Sequence, residues 1–161
     1  PLCLVGSEMC IRDRYRCHPQ TFKILELVEK YFIGKRVKIK SSFGFTTDVS
    51  KEHRLRNPNL AGGAILDVGC YPLSMARLIS GKLNRMDFAD PTDISIEGEL
   101  DETGVDAKST AILDFTDEIS AEIKTAIHEE YENNLIIESD DLCLEVSDPW
   151  HCGQFLSLIH I

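Results

Sequence analysis

The sequence predicts an α+β domain in which an open, mainly antiparallel β-sheet carries helices on one face. The first half alternates helix, strand and helix, and both helical segments show the three- and four-residue spacing of buried apolar residues. From Pro91 onward this spacing disappears, and short alternating segments separated by turn residues replace it. Connections this short join antiparallel strands, and helices that precede a run of strands are expected to cover one face of the sheet.

The first helix and the first strand follow from local patterns. A helix is expected over residues 19–32, with Pro19 suited to its first turn and Gly34 to its C-terminal stop. Residues 35–46 should form a half-buried strand, because mostly apolar and mostly basic side chains alternate from Val37 onward. A polar loop over residues 47–60 comes next, and loops of this length are often functional.

The second helix is expected over residues 63–80, with Gly81 as its stop. Pro72 complicates this helix, because it lacks a backbone donor and disfavours the helical conformation at Tyr71. Either the helix is kinked at Tyr71, or its regular part begins at Pro72. We adopt the first arrangement, which keeps Asp67 and Tyr71 on one face.

Five further strands are predicted in the second half. Their ranges are 94–98, 108–113, 119–124, 134–138 and 142–146, with turns at 101–104, 116–117 and 133–134. Residues 107–127 are most simply a hairpin.

Composition restricts the class of protein. The chain of 161 residues has the length of one domain and a net charge of -10, from 17 basic and 27 acidic residues. This charge argues against nucleic-acid or anionic-membrane partners, and no apolar run approaches the roughly 20 residues of a membrane-spanning helix. The six cysteines include no C-x-x-C pair, so we expect free thiols in a reducing cytoplasm and no metal site.

The segment 61–72 is the most informative part of the chain. It contains Gly62, Gly63 and Gly69 together with one carboxylate, Asp67, and one phenol, Tyr71. Glycines let a backbone approach a ligand or another segment closely. A carboxylate beside a phenol can move a proton to or from a hydroxyl or carbonyl group.

This segment resembles the signature of the Gfo/Idh/MocA oxidoreductases, and so do residues 54–60 and 15–19. Within that family it looks most like the dihydrodiol dehydrogenase branch. The resemblance implies an NAD(P)-dependent dehydrogenase acting on a sugar, polyol or cyclic diol. It also implies the α+β second domain of the family, whose free sheet face serves subunit association, so a homo-oligomer is expected.

The resemblance covers only the second half of a family member. The chain has no G-x-G-x-x-G sequence and no βαβ unit before the motif, whereas the family begins with a Rossmann domain that holds NAD or NADP. We therefore interpret residues 15–155 as the substrate and oligomerisation domain of a longer enzyme. Alone it should be inactive, with an apolar patch uncovered around residues 62–71.

The two ends do not fit the rest of the chain. Residues 1–14 and 156–161 resemble translated sequencing-adapter sequence, and the alternative is a native strand at each end. We interpret both as non-native and set them aside in the fold prediction.

The resemblance assigns roles to the candidate residues. Tyr71 would donate a proton to the substrate oxygen, assisted by a catalytic lysine that family members carry just upstream of the position of Tyr15. Asp67 would orient Tyr71 or that lysine, or accept a hydrogen bond from a substrate hydroxyl. The structural alternatives are a packed tyrosine and a helix cap. Other candidates are Arg54, Arg16 and His18 for substrate and Gly62 and Gly63 for the cofactor side. Solvated charge for Arg54 and Arg56, and capping for His18, are the structural alternatives.

A second class of function remains open. The same fold also serves non-catalytic ligand-sensing or scaffold homologues, which need neither Asp67 nor Tyr71. Pro72 could displace the phenol and favour this class.

Overall fold

The computed structural model describes residues 14–152 and 156–160. Within these residues, two α-helices and seven β-strands form the fold, together with short 3₁₀ turns and one π-helical turn at Ile65–Gly69. The helices are α1 (Pro19–Tyr31) and α2 (Cys70–Leu83). The strands are β1 (Val37–Gly44), β2 (Asp93–Leu100), β3 (Asp106–Thr116), β4 (Ile119–Ala126), β5 (Asn134–Glu138), β6 (Leu142–Ser147) and β7 (Leu156–His160). The predicted α+β fold class is confirmed.

The strands form one open sheet in the order β2-β3-β4-β1-β5-β6-β7. Every neighbouring pair is antiparallel except β1 and β4, which run parallel with Val37 opposite Ile119. The parallel pair is possible because α2 and the β2–β3 hairpin separate β1 from β4 in sequence and supply the crossover.

The alternation predicted for β1 decides which face of the sheet is buried. Val37 and Ile39 lie in the core beneath the helices, against Ile24, Val28 and Met75. The intervening lysines point to the opposite face, where Lys38 pairs with Glu122 at 3.2 Å and Lys40 with Glu138 at 2.6 Å. One face of the sheet is therefore apolar and covered, and the other is charged and open.

Helix α1 matches its prediction to within one residue at its end. His18 is the N-cap, and its Nδ1 accepts a hydrogen bond from the Gln20 N–H at 3.2 Å. Pro19 follows in the first turn, where a missing donor costs nothing. Gly34, at φ +77°, lies three residues beyond Tyr31 in the turn that leads into β1.

Helix α2 differs from its prediction at both ends. The chain stays helical through Tyr71 and Pro72, and a π turn at Ile65–Gly69 precedes the regular helix, so the irregularity lies before Tyr71. Such turns accommodate a lost backbone bond within a helix. The expected stop at Gly81 is wrong.

Gly81 lies inside α2, and it is a glycine because a Cβ there would be 2.6 Å from the Phe88 Cα. The helix ends instead with Arg85 at φ +59° and a hydrogen bond from the Met86 N–H to the Gly81 carbonyl at 2.8 Å. This is the geometry of a Schellman C-cap.

The five strands predicted after Pro91 are all present, and most extend further than predicted. An additional strand, β7, falls in the segment that the sequence analysis set aside, and it pairs antiparallel with β6, Leu158 opposite Leu144. That this segment is non-native stays a prediction, and residues 1–13 lie outside the described part. Within the described residues, no helix is long and apolar enough to cross a membrane.

Candidate active site

The predicted site residues gather around one end of the sheet, where β1 and β4 end and β3 begins. Gly44 lies opposite Ala126, and Ala126 lies opposite Lys108. The loop after β1, the start of the α2 helical segment and the turn after β6 all lie at this end. Trp150 fixes that last turn, because its Nε1 donates to the Ser42 carbonyl at 2.7 Å.

Gly62 and Gly63 are required by contacts within the chain itself. A Cβ on Gly62 would lie 2.6 Å from the Arg54 carbonyl oxygen. Gly63 has φ +119°, its N–H donates to the Leu55 carbonyl at 2.9 Å, and a Cβ there would run into the Asp106 carboxylate. These contacts account for both glycines, and their predicted role on the cofactor side stays a prediction.

Asp106 holds the start of the helical segment that carries Asp67 and Tyr71. Its Oδ2 accepts a hydrogen bond from the Ile65 N–H at 2.7 Å. The residue belongs to β3 and lies 41 positions away, so it acts as an N-cap from a distant element. The sequence analysis missed it, because a cap is ordinarily sought immediately before the helix.

The structure brings Asp67 and Arg54 together. The Arg54 Nη1 donates to the Asp67 Oδ1 at 2.6 Å; the Asp67 side chain is 11% exposed and that of Arg54 57%. Asp67 also lies in the first turn of the helical segment, where the helix dipole favours a negative charge. The carboxylate is thereby fixed, and the guanidinium beside it reaches solvent.

Tyr71 packs in an aromatic cluster formed by Tyr15, Phe43, Tyr71 and Trp150. The Tyr71 ring centroid lies 5.3 Å from Phe43, 5.5 Å from Tyr15 and 6.3 Å from Trp150. The Tyr15 hydroxyl donates to the Tyr71 carbonyl oxygen at 3.3 Å. Both ring and backbone are therefore held in place, as a proton donor requires and as the packed-tyrosine alternative also predicts.

Arg56 is not a solvated loop charge. Its guanidinium donates to both oxygens of Asp101 at 3.0 Å and to the Glu102 Oε1 at 2.8 Å. Nη1 also donates to the Val49 carbonyl at 3.0 Å, and the side chains of Arg56 and Asp101 are only 16% and 9% exposed. The Arg56 hydrogen bonds, with a smaller part from Thr103, hold the pKa of Asp101 well below its usual value. This fork ties the loop after β1 to the turn between β2 and β3.

The Arg56–Asp101 pair should make part of the stability depend on acid pH. A carboxylate whose pKa is lowered in the folded state stabilises it above the unfolded pKa of about 3.9, and this contribution is lost as pH falls further. Replacing Arg56 by Gln should lower the free energy of unfolding at pH 6, and the difference from wild type should narrow below about pH 4. Denaturant unfolding followed by fluorescence of Trp150, the only tryptophan, measures this.

The matched control is Arg36→Gln, which removes an exposed ion pair to Glu118. We expect a small loss for this control, because solvent screens such pairs. If the difference in free energy of unfolding between wild type and Arg56→Gln stays constant from pH 6 to pH 3, the Arg56–Asp101 pair is not the source of the pH dependence.

Arg16 and His18 have partners of their own near the start of α1. The Arg16 guanidinium lies over the Phe88 ring, 4.8 Å from its centroid, and the imidazole of His18 caps α1. These contacts favour the structural alternative for His18, and a substrate role for either residue stays a prediction. Among the residues that the structure describes, no three His, Cys, Asp or Glu side chains are grouped to hold a metal ion.

Comparison with known proteins identifies the family. Residues 22–146 match the GFO/IDH/MocA C-terminal domain. The chain belongs to this family. It is 33% identical over 112 residues to D-xylose 1-dehydrogenase (NADP(+)) 2 of Haloferax volcanii, a match that covers 70% of the chain and 32% of the relative. It is 27% identical over 136 residues to the trans-1,2-dihydrobenzene-1,2-diol dehydrogenase of Xenopus tropicalis, a match that covers 84% of the chain and 39% of that relative.

Two solved structures of oxidoreductases show the same fold. The aldose-aldose oxidoreductase of Caulobacter crescentus, complexed with glycerol, superimposes with a TM-score of 0.74 at 20% identity over 92% of this chain and 43% of that one. A 3-ketoreductase of Actinomadura kijaniata, in complex with NADP and TDP-benzene, gives a TM-score of 0.67 at 18% identity over 91% and 47%. The match spans about a third of the length of the D-xylose dehydrogenase and about two fifths of that of the dihydrobenzene-diol dehydrogenase.

Proposed function

We propose that this chain is the C-terminal half of an NAD(P)-dependent oxidoreductase. The enzyme would pass a hydride between nicotinamide and the carbon of a secondary alcohol or carbonyl on a sugar, polyol or cyclic diol. The observation that carries the proposal is the Gfo/Idh/MocA match over residues 22–146. The names of the xylose and dihydrobenzene-diol dehydrogenases support the substrate class.

The site contains groups suited to the proton half of this reaction. The cofactor supplies the hydride chemistry, and the protein supplies position and a proton path. Tyr71 is proposed to donate a proton to the substrate oxygen, which requires a nearby cation because a free phenol has a pKa near 10. We propose that this cation is the family's lysine, which the resemblance implies just upstream of Tyr15. Asp67, held by Arg54, is proposed to accept a hydrogen bond from a substrate hydroxyl.

The described residues do not fit the dinucleotide pyrophosphate. A pyrophosphate is typically bound at a helix N-terminus with free backbone N–H groups. Here His18 caps α1, and the Asp106 carboxylate occupies the Ile65 N–H at the start of the other helical segment. This supports the proposal that another domain binds most of NAD or NADP.

An apolar surface beside the site supports the same proposal. Leu60, Ile65 and Leu66 are 57%, 37% and 54% exposed. Exposed apolar side chains this close together indicate a contact surface. We propose that the dinucleotide-binding domain covers them.

The open face of the sheet is the proposed site of self-association in the cytoplasm. It carries charges of both signs, such as the pair of Lys38 with Glu122, and Ile112 of β3, which lies opposite Glu122, is 48% exposed. Such a mixed surface fits a second copy of the protein better than a polyanion.

Activity with and without a dinucleotide-binding domain tests the proposed function. The 161-residue chain alone should show no NAD(P)H turnover, because the described residues offer no pyrophosphate site. The same chain joined to an upstream Rossmann domain of the family should oxidise or reduce sugars, polyols or cyclic diols. Turnover is measured by absorbance of the reduced nicotinamide. Turnover by the chain alone, or none by any joined form that is folded and binds NADPH, would contradict the proposal.

A non-catalytic homologue is the second candidate. The packing of Tyr71 among Tyr15, Phe43 and Trp150 favours it, because this packing explains the tyrosine without a reaction. A joined protein that binds NADPH and a sugar but shows no turnover would support this candidate.

A further inference from the structure

The β2–β3 turn, defined here as residues 101–105 together with Asp106, the first residue of β3, contacts both segments that carry the candidate site residues. Asp101 at its start binds Arg56 in the loop after β1, and Asp106 at its end binds the Ile65 N–H. Arg54 lies two residues before Arg56, and Asp67 two residues after Ile65. One short turn therefore holds both partners of the Arg54–Asp67 pair from behind.

The turn is itself constrained. The Asp101 N–H donates to the Val105 carbonyl at 2.8 Å, and the Gly104 N–H donates to the Asp101 carbonyl at 2.9 Å. The Thr103 hydroxyl donates to the Asp101 Oδ2 at 2.7 Å, and His128 Nε2 lies 3.8 Å from the Oδ1. On the other side, Ser109 Oγ lies 3.4 Å from the Asp106 Oδ2. Both carboxylates are therefore held by these neighbours as well as by their contacts with the site segments.

The contacts of Asp106 and of the loop backbone explain why positions 63 and 62 are glycine. The Asp106 carboxylate occupies the space that a Cβ on Gly63 would need, and the loop backbone at Arg54 and Leu55 occupies that of Gly62. The loop, the glycines and the turn therefore pack as one unit whose relative positions have little freedom. Active-site groups need such support, because a small displacement of a reacting group costs much of its effect.

We propose that this turn is a positioning element of the site, in which Asp101 fixes the loop carrying Arg54 and Asp106 fixes the helical segment carrying Asp67 and Tyr71. Neither residue contacts the reacting atoms in this account. The effect on turnover rests on the proposed function, whereas the effect on local order does not.

Hydrogen exchange on the 161-residue chain tests the positioning role directly. Asp106→Ala should speed exchange of the amides in Ile65–Gly69 by about fivefold or more, the effect expected for a lost cap. Asp106→Asn keeps an accepting oxygen and should restore exchange to near the wild-type rate. The control is Asp114→Ala, an exposed aspartate near the other end of β3, which should leave these amides unchanged. Unchanged exchange in Asp106→Ala would overturn the proposal.

Turnover provides a second readout in the joined protein. Asp106→Ala should lower kcat about tenfold, with the KM for the nicotinamide cofactor unchanged, and Asp106→Asn should recover most of the loss. Faster exchange without a change in kcat would overturn the positioning role. A wild-type protein without turnover would overturn the proposed function alone, because the exchange comparison needs no turnover. If Asp106→Ala does not fold, the same two readouts are compared in Asp106→Asn and Asp106→Ser, where serine is expected to retain the bond only in part.

Discussion

Replacing Tyr71 by Phe is expected to lower kcat by about 100-fold or more in the protein that carries a dinucleotide-binding domain, the usual contribution of a placed general acid. The substitution removes only the hydroxyl. The phenylalanine ring can keep its contacts with Phe43, Tyr15 and Trp150, and the backbone oxygen that accepts from Tyr15 is unaffected. Unfolding curves show whether the substitution changes stability, and a loss of turnover in a variant as stable as wild type reports on the hydroxyl itself.

The control for Tyr71 is Tyr31→Phe, at the C-terminal end of α1 and outside the aromatic cluster. Steady-state kinetics of both variants, with unfolding curves measured alongside, separates a chemical role from a structural one. An unchanged kcat for Tyr71→Phe on every substrate that the enzyme turns over would remove Tyr71 from the mechanism. That result would strengthen the packed-tyrosine alternative and the non-catalytic candidate.

Gly63→Ala is expected to cause the largest loss of stability, at least about 2 kcal/mol in the free energy of unfolding. Two causes combine, because φ +119° is strained for any residue with a Cβ and because the new methyl group would meet the Asp106 carboxylate. The carboxylate could move only by giving up its hydrogen bond to Ile65. Denaturant unfolding followed by Trp150 fluorescence measures the loss.

Gly104→Ala separates the two causes. Gly104 also has a positive φ, +89°, but a Cβ there would meet nothing within 4 Å. Gly104→Ala should lower the free energy of unfolding by about 1 kcal/mol, from backbone strain alone. Equal losses in the two variants would show that the contact between Gly63 and Asp106 contributes nothing.

Local patterns were sufficient to predict most of the elements. The alternation from Val37 onward predicted both the strand and its buried face, because successive side chains of a strand point to opposite faces of the sheet. Pro19 and the three- and four-residue apolar spacing after it predicted α1, because this spacing puts apolar side chains on one face of a helix. The resemblance of the segment 61–72 to the family signature predicted the family that the match over residues 22–146 then showed.

Several features of α2 and the sheet could not be predicted in this way. Gly81 has the sequence character of a stop, yet it lies inside the helix, where the close approach of the Phe88 backbone leaves no room for a Cβ. The parallel pairing of β1 with β4 joins segments about 80 residues apart, and no local pattern specifies such a partner. Setting residues 156–161 aside also left β7 out of the predicted sheet.

The sequence by itself determined which residue types are available at the site, namely Asp67, Tyr71, Arg54 and the two adjacent glycines. Only the tertiary structure decided what each of them contacts. Asp106 and Ile65 are 41 positions apart, and Arg56 and Asp101 are 45 positions apart, so neither contact leaves a periodic trace in the sequence. The physical reason is that periodicity reports the environment of a single helix or strand, whereas a site held by a distant turn depends on how the elements pack together.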